Sequence, residues 1–168
     1  MNSNQIMWTM ITNLLSTVYT YYDASNVFSA FQNDFTPPKI NDYIMIRLLD
    51  NKQDMTPLNK FDAETQINTL TGFYSGSWQI DLYGKNADVS STLLLTYLNS
   101  SSASNFLLTY NFGVGKVQSV KNLTKYNDRD KFMPRYVINF ETLRTNNVAL
   151  PTPGIALEDV IITLEEQN

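Results

Sequence analysis

The chain has 168 residues and a mass of 19.2 kDa, a size that fits one domain with a sizeable core. Cysteine and histidine are both absent, which excludes disulfides, thiolate nucleophiles, imidazole bases and Cys/His metal sites. A formal net charge of -4, with only 17% charged residues, disfavours a basic surface for nucleic acid.

The first residues carry no cationic segment, and no apolar run approaches the roughly 20 residues of a membrane span. We therefore expect a protein that is made and used in a cytoplasm and has no membrane partner. Ten tyrosines on a charge-poor chain suit protein contacts, because the ring covers a large area at a small entropy cost. A coding sequence rich in A and T would favour the same composition.

Apolar residues recur at helical spacing near the N-terminus and predict one amphipathic helix over residues 3–20, capped by Ser3 or Asn4. The wide apolar stripe predicts packing on a sheet, and docking in a partner's groove is the alternative. Further along, the pair Pro37-Pro38 predicts an extended segment. The apolar positions of the helix are Ile6, Met7, Met10, Ile11, Leu14, Leu15 and Val18.

Residues 42–50 alternate with apolar side chains on both faces, which predicts a central strand. The next segment, residues 51–59, is polar and contains Pro57, so we expect an excursion loop. Its apolar members Met55 and Leu58 would form either a local cluster or a contact surface. Residues 61–70 are rich in threonine and favour another strand.

Residues 74–84 predict a strand with one core face, formed by Trp78, Ile80 and Leu82. Gly84 ends this strand and leads directly into a predicted helix over residues 87–98, and a shorter helix is expected over 103–110. The opposite face of the strand is polar and is available for a lumen or a neighbouring subunit. It carries Gln79, Asp81 and Tyr83.

The segment Gly113-Val114-Gly115 is expected to be a turn, because it lacks the Gly-Lys-Ser/Thr ending of a phosphate loop. We expect strands over residues 116–123 and 132–143, joined by a charged turn over 126–131, and a last strand over 160–164. This order predicts an α+β fold with a mainly antiparallel or mixed sheet and helices packed on one face, in a single domain over residues 1–168.

Three groups of polar residues are candidates for chemistry. Asp81 and Glu141 could form a carboxylate pair for acid/base catalysis, but neighbouring strands often carry such polar pairs. The run 128–130 lacks the spacing and the closing glutamate of a calcium loop, so we expect a hairpin turn. Serine and threonine nucleophiles have no histidine base. The sequence predicts no catalytic, cofactor or metal site.

Two strand motifs stand out as a pair. The first is Trp78-Gln79-Ile80-Asp81-Leu82-Tyr83-Gly84 leading into a helix, and the second is Arg135-Tyr136-Val137-Ile138-Asn139-Phe140-Glu141 leading to Asn147-Val148. Together they resemble the phage neck or tail terminator family. In element order the resemblance covers residues 42–155. It implies a structural virion protein, not an enzyme, that assembles in the host bacterial cytoplasm.

The resemblance also implies a homo-oligomeric ring of six copies on the tail tube. Such a ring would end tube polymerisation, bind the neck or head-completion protein and leave a channel through which DNA passes as cargo. Alternatives are a tail tube or head-closure subunit and, from another class, a carbohydrate-binding module or glycoside hydrolase using Trp78 and Tyr83 with Asp81 and Glu141. The candidate residues for a subunit or tube interface are Met55, Leu58, Phe61, Gln79, Asp81, Tyr83, Asp128, Arg129, Asp130 and Lys131.

Overall fold

The computed structural model describes residues 3–18, 22, 24–29, 42–65, 67–126 and 132–151. Three α-helices and a short 3-10 turn lie among them. The helices are α1 (Ser3–Val18), α2 (Ala87–Leu98) and α3 (Ser101–Leu108), and the 3-10 turn is Ala24–Asn26. The strands are β1 (Val27–Ser29), β2 (Tyr43–Asp62), β3 (Ile67–Tyr83), β4 (Phe112–Val117), β5 (Lys121–Asn122), β6 (Lys125–Tyr126), β7 (Phe132–Met133) and β8 (Arg135–Pro151).

Six of the strands form one mixed sheet. Five of them follow the order β1-β2-β3-β8-β4, and β5 pairs directly with a different part of β8 from the part that pairs with β4. The β1–β2 pair is parallel, and every other pair in this sheet is antiparallel. Strands β6 and β7 form a separate two-stranded ribbon. The predicted α+β class with a mainly antiparallel, mixed sheet is confirmed.

The helices pack on one face of the sheet, as predicted. In the register of the three central strands, Ile46, Ile80 and Ile138 lie opposite one another and all point into the core. Trp78 and Phe140 are neighbours two rungs further along and are both fully buried. The helices cover this core and contribute buried side chains to it: Met7, Met10 and Ile11 from α1, Leu94 and Leu98 from α2, and Leu107 from α3. We call this side of the sheet the helix face.

Local signals located the helices well. Helix α1 begins at Ser3, and α2 spans the predicted residues 87–98. Helix α3 begins two residues before its predicted start, because Ser100 acts as its N-cap and accepts a hydrogen bond from the Ala103 N–H at 3.4 Å. Sequence periodicity defined these helices because their apolar stripes are local patterns.

The predicted excursion loop over residues 51–59 is wrong, because β2 continues without interruption to Asp62. The pairing register of β2 with β3 shifts between Met55 and Leu58, and Pro57 lies between these two residues. Pro57 removes only one backbone donor, and such a loss is tolerated on an edge strand or at a bulge. A polar segment with a proline can therefore stay extended when a long neighbour, here β3, supplies the pairing.

The predicted turn at Gly113-Val114-Gly115 is also wrong, because all three residues lie in β4. A Cβ atom on Gly115 would come within 3.0 Å of the Glu141 Cβ and 3.2 Å of the Glu141 carbonyl oxygen. Glycine is favoured there because the two backbones approach closely. The glycines of this run allow the two strands to pack closely. Local sequence alone cannot distinguish such a run from a turn.

The remaining strand predictions are partly right. The strand expected over residues 61–70 is divided by a turn over 63–65, and residues 67–70 begin the long strand β3. The strand expected over 116–123 becomes the end of β4 and the short β5. The strand expected over 132–143 is broken at Pro134, between β7 and β8. Residues 127–131 of the charged turn and the strand over 160–164 lie outside the described residues.

Candidate functional site

Strands β2, β3 and β8 extend well beyond the helix-covered part of the sheet. We call this extension the arm: residues 53–62 of β2, 67–74 of β3 and 144–151 of β8. At a rise of about 3.3 Å per residue, the eight residues of the middle strand carry the arm about 25 Å outward. Nearly all side chains on its two outer strands are exposed, so the arm is a three-stranded ribbon with no helix on it among the described residues.

The arm exposes large apolar side chains on both of its faces. Phe61 pairs with Asn68, which pairs with Leu150, so Phe61 and Leu150 share a face that continues the helix face. Leu58 and Met55 lie opposite Thr71 and Phe73 and belong to the other face. Phe61, Leu58 and Met55 are 54%, 58% and 54% exposed. Apolar side chains clustered in this way mark a contact surface more often than scattered ones do.

At the base of the arm, one rung of the sheet includes Tyr74, Arg144 and Phe112, from β3, β8 and β4. The Arg144 guanidinium carbon lies 5.4 Å from the centre of the Tyr74 ring and 5.8 Å from that of Phe112. Its Nη1 donates a long hydrogen bond of 3.5 Å to the Ser3 Oγ, and its buried Nε has no hydrogen-bond partner. This guanidinium is therefore held by two rings but only weakly hydrogen-bonded.

Two adjoining hollows open beside Arg144, with volumes of about 460 and about 330 Å³. Both are lined by Asn111, Phe112, Arg144 and Thr145. We call the pair of hollows the base cleft. It is large enough to receive side chains from another polypeptide.

The sheet surface opposite the helix face carries a buried ion pair. The Asp81 side chain is 0% exposed, and its Oδ1 accepts hydrogen bonds from the Arg135 Nη2 at 3.0 Å and Nε at 3.2 Å. Gln79 Nε2 donates to both carboxylate oxygens, at 3.0 and 2.9 Å. The Asp81 carboxylate is thus hydrogen-bonded by side chains of its own chain, and it links β3 to β8 through Arg135.

A stack of aromatic rings covers this ion pair. Tyr43 and Tyr83 stack with ring centres 4.4 Å apart, and the Arg135 guanidinium carbon lies 5.5 Å from the centre of the Tyr83 ring. Burial, with a smaller repulsive contribution from Tyr83, raises the pKa of Tyr43 to about 12. The hydrogen bond to Asp81 and the charge of that carboxylate raise the pKa of Arg135 against the opposing effect of burial.

The structure separates the residues that the sequence proposed for an interface. Met55, Leu58 and Phe61 lie on the arm, whereas Gln79, Asp81 and Tyr83 lie in the ion-pair network on the body. The segment Asp128-Arg129-Asp130-Lys131 lies outside the described residues. Gln79 and Tyr83 are half-buried, and an interface role for these positions remains a prediction.

The carboxylate pair considered for catalysis is unfavourably placed. Asp81 pairs with Val137, and Glu141 pairs with Ser77, so the two carboxylates lie four rungs apart on the same strands. Four rungs correspond to about 13 Å, beyond the roughly 5 to 9 Å over which two carboxylates cooperate in glycoside hydrolysis. Asp81 is in addition committed to Arg135.

Sequence reasoning missed Arg144 and the exposed residues Val148 and Leu150 at the end of β8. A signal existed for Arg144, because it continues the every-second-residue series of Ile138 and Phe140, which fills the core. Arg144 is charged but points to the same side of the sheet as these core residues. It therefore marks the position at which β8 extends beyond the helix-covered part of the sheet. Val148 and Leu150 gave no such signal, since strand length depends on distant pairing.

Comparison with known families gives a match to the model described as phage neck terminator protein, over residues 4–167. Comparison with curated proteins gives no match. Among the described residues, no helix has both the length and the apolar character needed to cross a membrane. The match spans nearly all of the 168 residues and agrees with the two strand motifs, β3 leading into α2 and the start of β8. The chain therefore belongs to the phage neck terminator protein family, whose members are structural components of the virion neck.

Proposed function

We propose that this protein assembles as a ring of six copies on the end of the phage tail tube. The ring ends tube polymerisation, provides the tail-side joint to the neck or head-completion protein and leaves a channel for DNA. Its partners are other copies of itself, the tail tube protein and the neck protein, and DNA is only passing cargo. Assembly takes place in the host bacterial cytoplasm.

The observation that carries the proposal is the arm. Folding of one chain leaves Leu58, Phe61 and Leu150 with about half of each side chain in water, on a ribbon that projects from the body. Full burial of an exposed side chain of this size gains about 1.5–3 kcal/mol, so burying the remaining half of each contributes about 1 kcal/mol and favours association with another protein. A projecting element that meets a different surface of the next copy makes a head-to-tail contact, and such contacts form a ring when the rotation between successive copies closes.

The electrostatics support a passive channel. The chain has 16 acidic and 12 basic residues, which gives its surface a net negative character. A negative wall repels the phosphate backbone, so DNA can slide past it. The chain has no histidine or cysteine, and Asp81 is enclosed by Arg135 and Gln79, which supports a structural rather than an enzymatic role.

Electron microscopy of purified tail tubes mixed with the protein tests the proposal. We expect rings at one end of each tube and no further growth when tube subunits are added. Phe61→Asp with Leu58→Asp should abolish end binding, because charges on the arm prevent its burial. Val89→Asp is the matched control, since Val89 is 56% exposed but lies on α2 of the body. A folded wild-type protein that never binds tube ends contradicts the proposal.

Two alternatives give different results in the same preparation. A tail tube or head-closure subunit would polymerise into open tubes or bind the head side without stopping growth. A carbohydrate-binding module or glycoside hydrolase would not cap tubes, and it would have a glycan activity that Asp81→Asn or Glu141→Gln abolishes. The ion pair of Asp81 with Arg135 and its distance from Glu141 disfavour this last function.

A further inference from the structure

Among the residues that the structure describes, half-buried Arg144 has no carboxylate partner. Within the described part of the chain no carboxylate lies within 4 Å of it, whereas Arg135 has Asp81 at 3.0 Å. Its Nε is buried without a hydrogen bond, although a guanidinium carries five donors in a planar fork that suits a carboxylate. The guanidinium has only one long hydrogen bond among the described residues, from Nη1 to the Ser3 Oγ at 3.5 Å, so a carboxylate from another molecule that reaches its outer nitrogens would be stabilising.

The surroundings of Arg144 add to its attraction for an anion. Helix α1 begins at Ser3, whose Oγ is the acceptor of the Arg144 contact, and the first turn of that helix has no acidic residue. The positive end of the helix dipole therefore lies beside the guanidinium with no negative charge from that turn to offset it. The walls of the base cleft also include Phe73 and Leu108, which suit an apolar neighbour of the carboxylate, and Asp54, whose Oδ1 accepts a hydrogen bond from the Ser75 Oγ at 2.8 Å and lies 4.0 Å from the Lys52 Nζ.

The arm carries a matching feature at its far end. The turn over residues 63–65 joins β2 to β3 at the tip and presents the exposed carboxylate of Glu64. Asp62 is less available, because its Oδ1 accepts hydrogen bonds from the Glu64 and Thr65 N–H groups. Phe61 precedes the turn and is 54% exposed. The tip thus combines an aromatic side chain with one exposed carboxylate that has no ion-pair partner among the described residues.

We propose that the arm tip of one copy inserts into the base cleft of the next copy, with Glu64 paired to Arg144 and Phe61 among the apolar residues of the cleft. The occupant of the cleft is a second copy of this chain, and the inference depends on the ring proposed above. Within one chain the arm holds its tip about 25 Å from its own base, so the pairing joins two molecules. The tip and the cleft are different surfaces, as a head-to-tail ring requires.

Single-cysteine variants test the contact directly, because the natural chain has no cysteine. Glu64→Cys and Thr145→Cys are made in separate chains, mixed and treated with a short bismaleimide while bound to tail tubes. We expect a cross-linked dimer from this mixture only. The matched control pairs Glu64→Cys with Asp88→Cys, an exposed position in the first turn of α2, and should give none.

Charge exchange tests the chemistry of the pair. Glu64→Arg alone should weaken assembly at least about tenfold, since it places two cations together. Arg144→Glu alone should do the same, and the two substitutions combined should restore assembly to within about threefold. Asp88→Arg is the control for a general charge effect. Because Glu64 is at an exposed tip, its substitution leaves the fold intact and keeps the test decisive even if Arg144→Glu misfolds.

The outcomes separate this inference from the proposed function. Suppose that rings form on tube ends, that the Glu64→Cys and Thr145→Cys chains give no cross-linked dimer, and that Glu64→Arg assembles normally. That result overturns the arm-to-cleft contact and leaves the capping function in place. A wild-type protein that forms no rings and binds no tube ends overturns both. Cross-linking together with rescue by charge exchange establishes the contact.

Discussion

The buried ion pair between Asp81 and Arg135 should be essential for stability of the single chain. Replacing Arg135 with Gln leaves the Asp81 carboxylate, which is 0% exposed, with the Gln79 amide as its one side-chain donor among the described residues. At 3.0 Å and an effective dielectric constant of about 20, the lost attraction is about 5–6 kcal/mol before desolvation is subtracted.

The net effect is smaller, for two reasons. Desolvation already offsets much of the attraction, and breaking a buried pair typically costs about 3–5 kcal/mol. The Arg135 side chain is 31% exposed, so water screens part of the interaction. We therefore expect Arg135→Gln to lower the free energy of unfolding by about 3 kcal/mol.

Urea unfolding at neutral pH measures this change, and a double-mutant cycle with Asp81→Asn isolates the pair. We expect a coupling energy of about 2 kcal/mol. The control is Lys52→Gln, which removes an ion pair of 4.0 Å from a side chain that is 66% exposed and should cost less than about 0.5 kcal/mol. If Arg135→Gln costs no more than Lys52→Gln, or if the cycle shows no coupling, the structural role of the pair is refuted.

Three further predictions concern the core, strand packing and pH. Trp78→Phe should cost about 2–4 kcal/mol, because it leaves a cavity and removes the 3.0 Å hydrogen bond from the indole N–H to the Thr142 hydroxyl. Adding Thr142→Val should recover part of that loss in urea unfolding. Gly115→Ala should destabilise by about 1–3 kcal/mol, whereas Gly113→Ala, whose Cβ would meet nothing closer than 3.8 Å, should change stability by less than about 1 kcal/mol; equal effects would contradict the close-packing explanation. The pKa of the Tyr43 phenol is raised from 10.0 to about 12, so the folded state should become less stable as pH rises through that range. The free energies of unfolding of wild type and Tyr43→Phe, plotted against pH, should converge there instead of staying parallel.

The sign of the pH prediction follows from proton linkage. Between pH 10.0 and about 12, the folded chain retains the Tyr43 proton that the unfolded chain has already released. The stabilisation is therefore complete below the unfolded pKa and disappears as pH rises through the folded pKa. Phenylalanine cannot ionise, so the variant lacks this contribution to the loss of stability.

The parts of the fold that the sequence predicted well are those with a local physical cause. Helix α2 has the predicted bounds because its apolar stripe and the preceding Gly84, with φ of 116°, both act within a few residues. The core face of β3 follows from alternation alone, since Trp78, Ile80 and Leu82 point the same way in any strand. The family resemblance rests on these same motifs.

The candidate site was less predictable. Met55, Leu58 and Phe61 stand out as apolar residues in a polar region, and the structure leaves each of them more than half exposed. Their placement on two faces of a strand could not be read from the sequence, because it depends on register with β3. Arg144 continues the core alternation of Ile138 and Phe140, but it was missed because the sequence does not show that its side chain contacts two aromatic rings.

The sequence by itself determined the absence of cysteine and histidine chemistry, the helices, and the alternation that divides the strands into a core face and a polar face. Only the tertiary structure decided that β2 passes through Pro57 into the arm, that Gly115 serves close packing, and that Asp81 is buried. Each of these depends on residues far apart in the chain. Pairing register and burial are set by the partner strand, and local propensity holds no information about which partner that is.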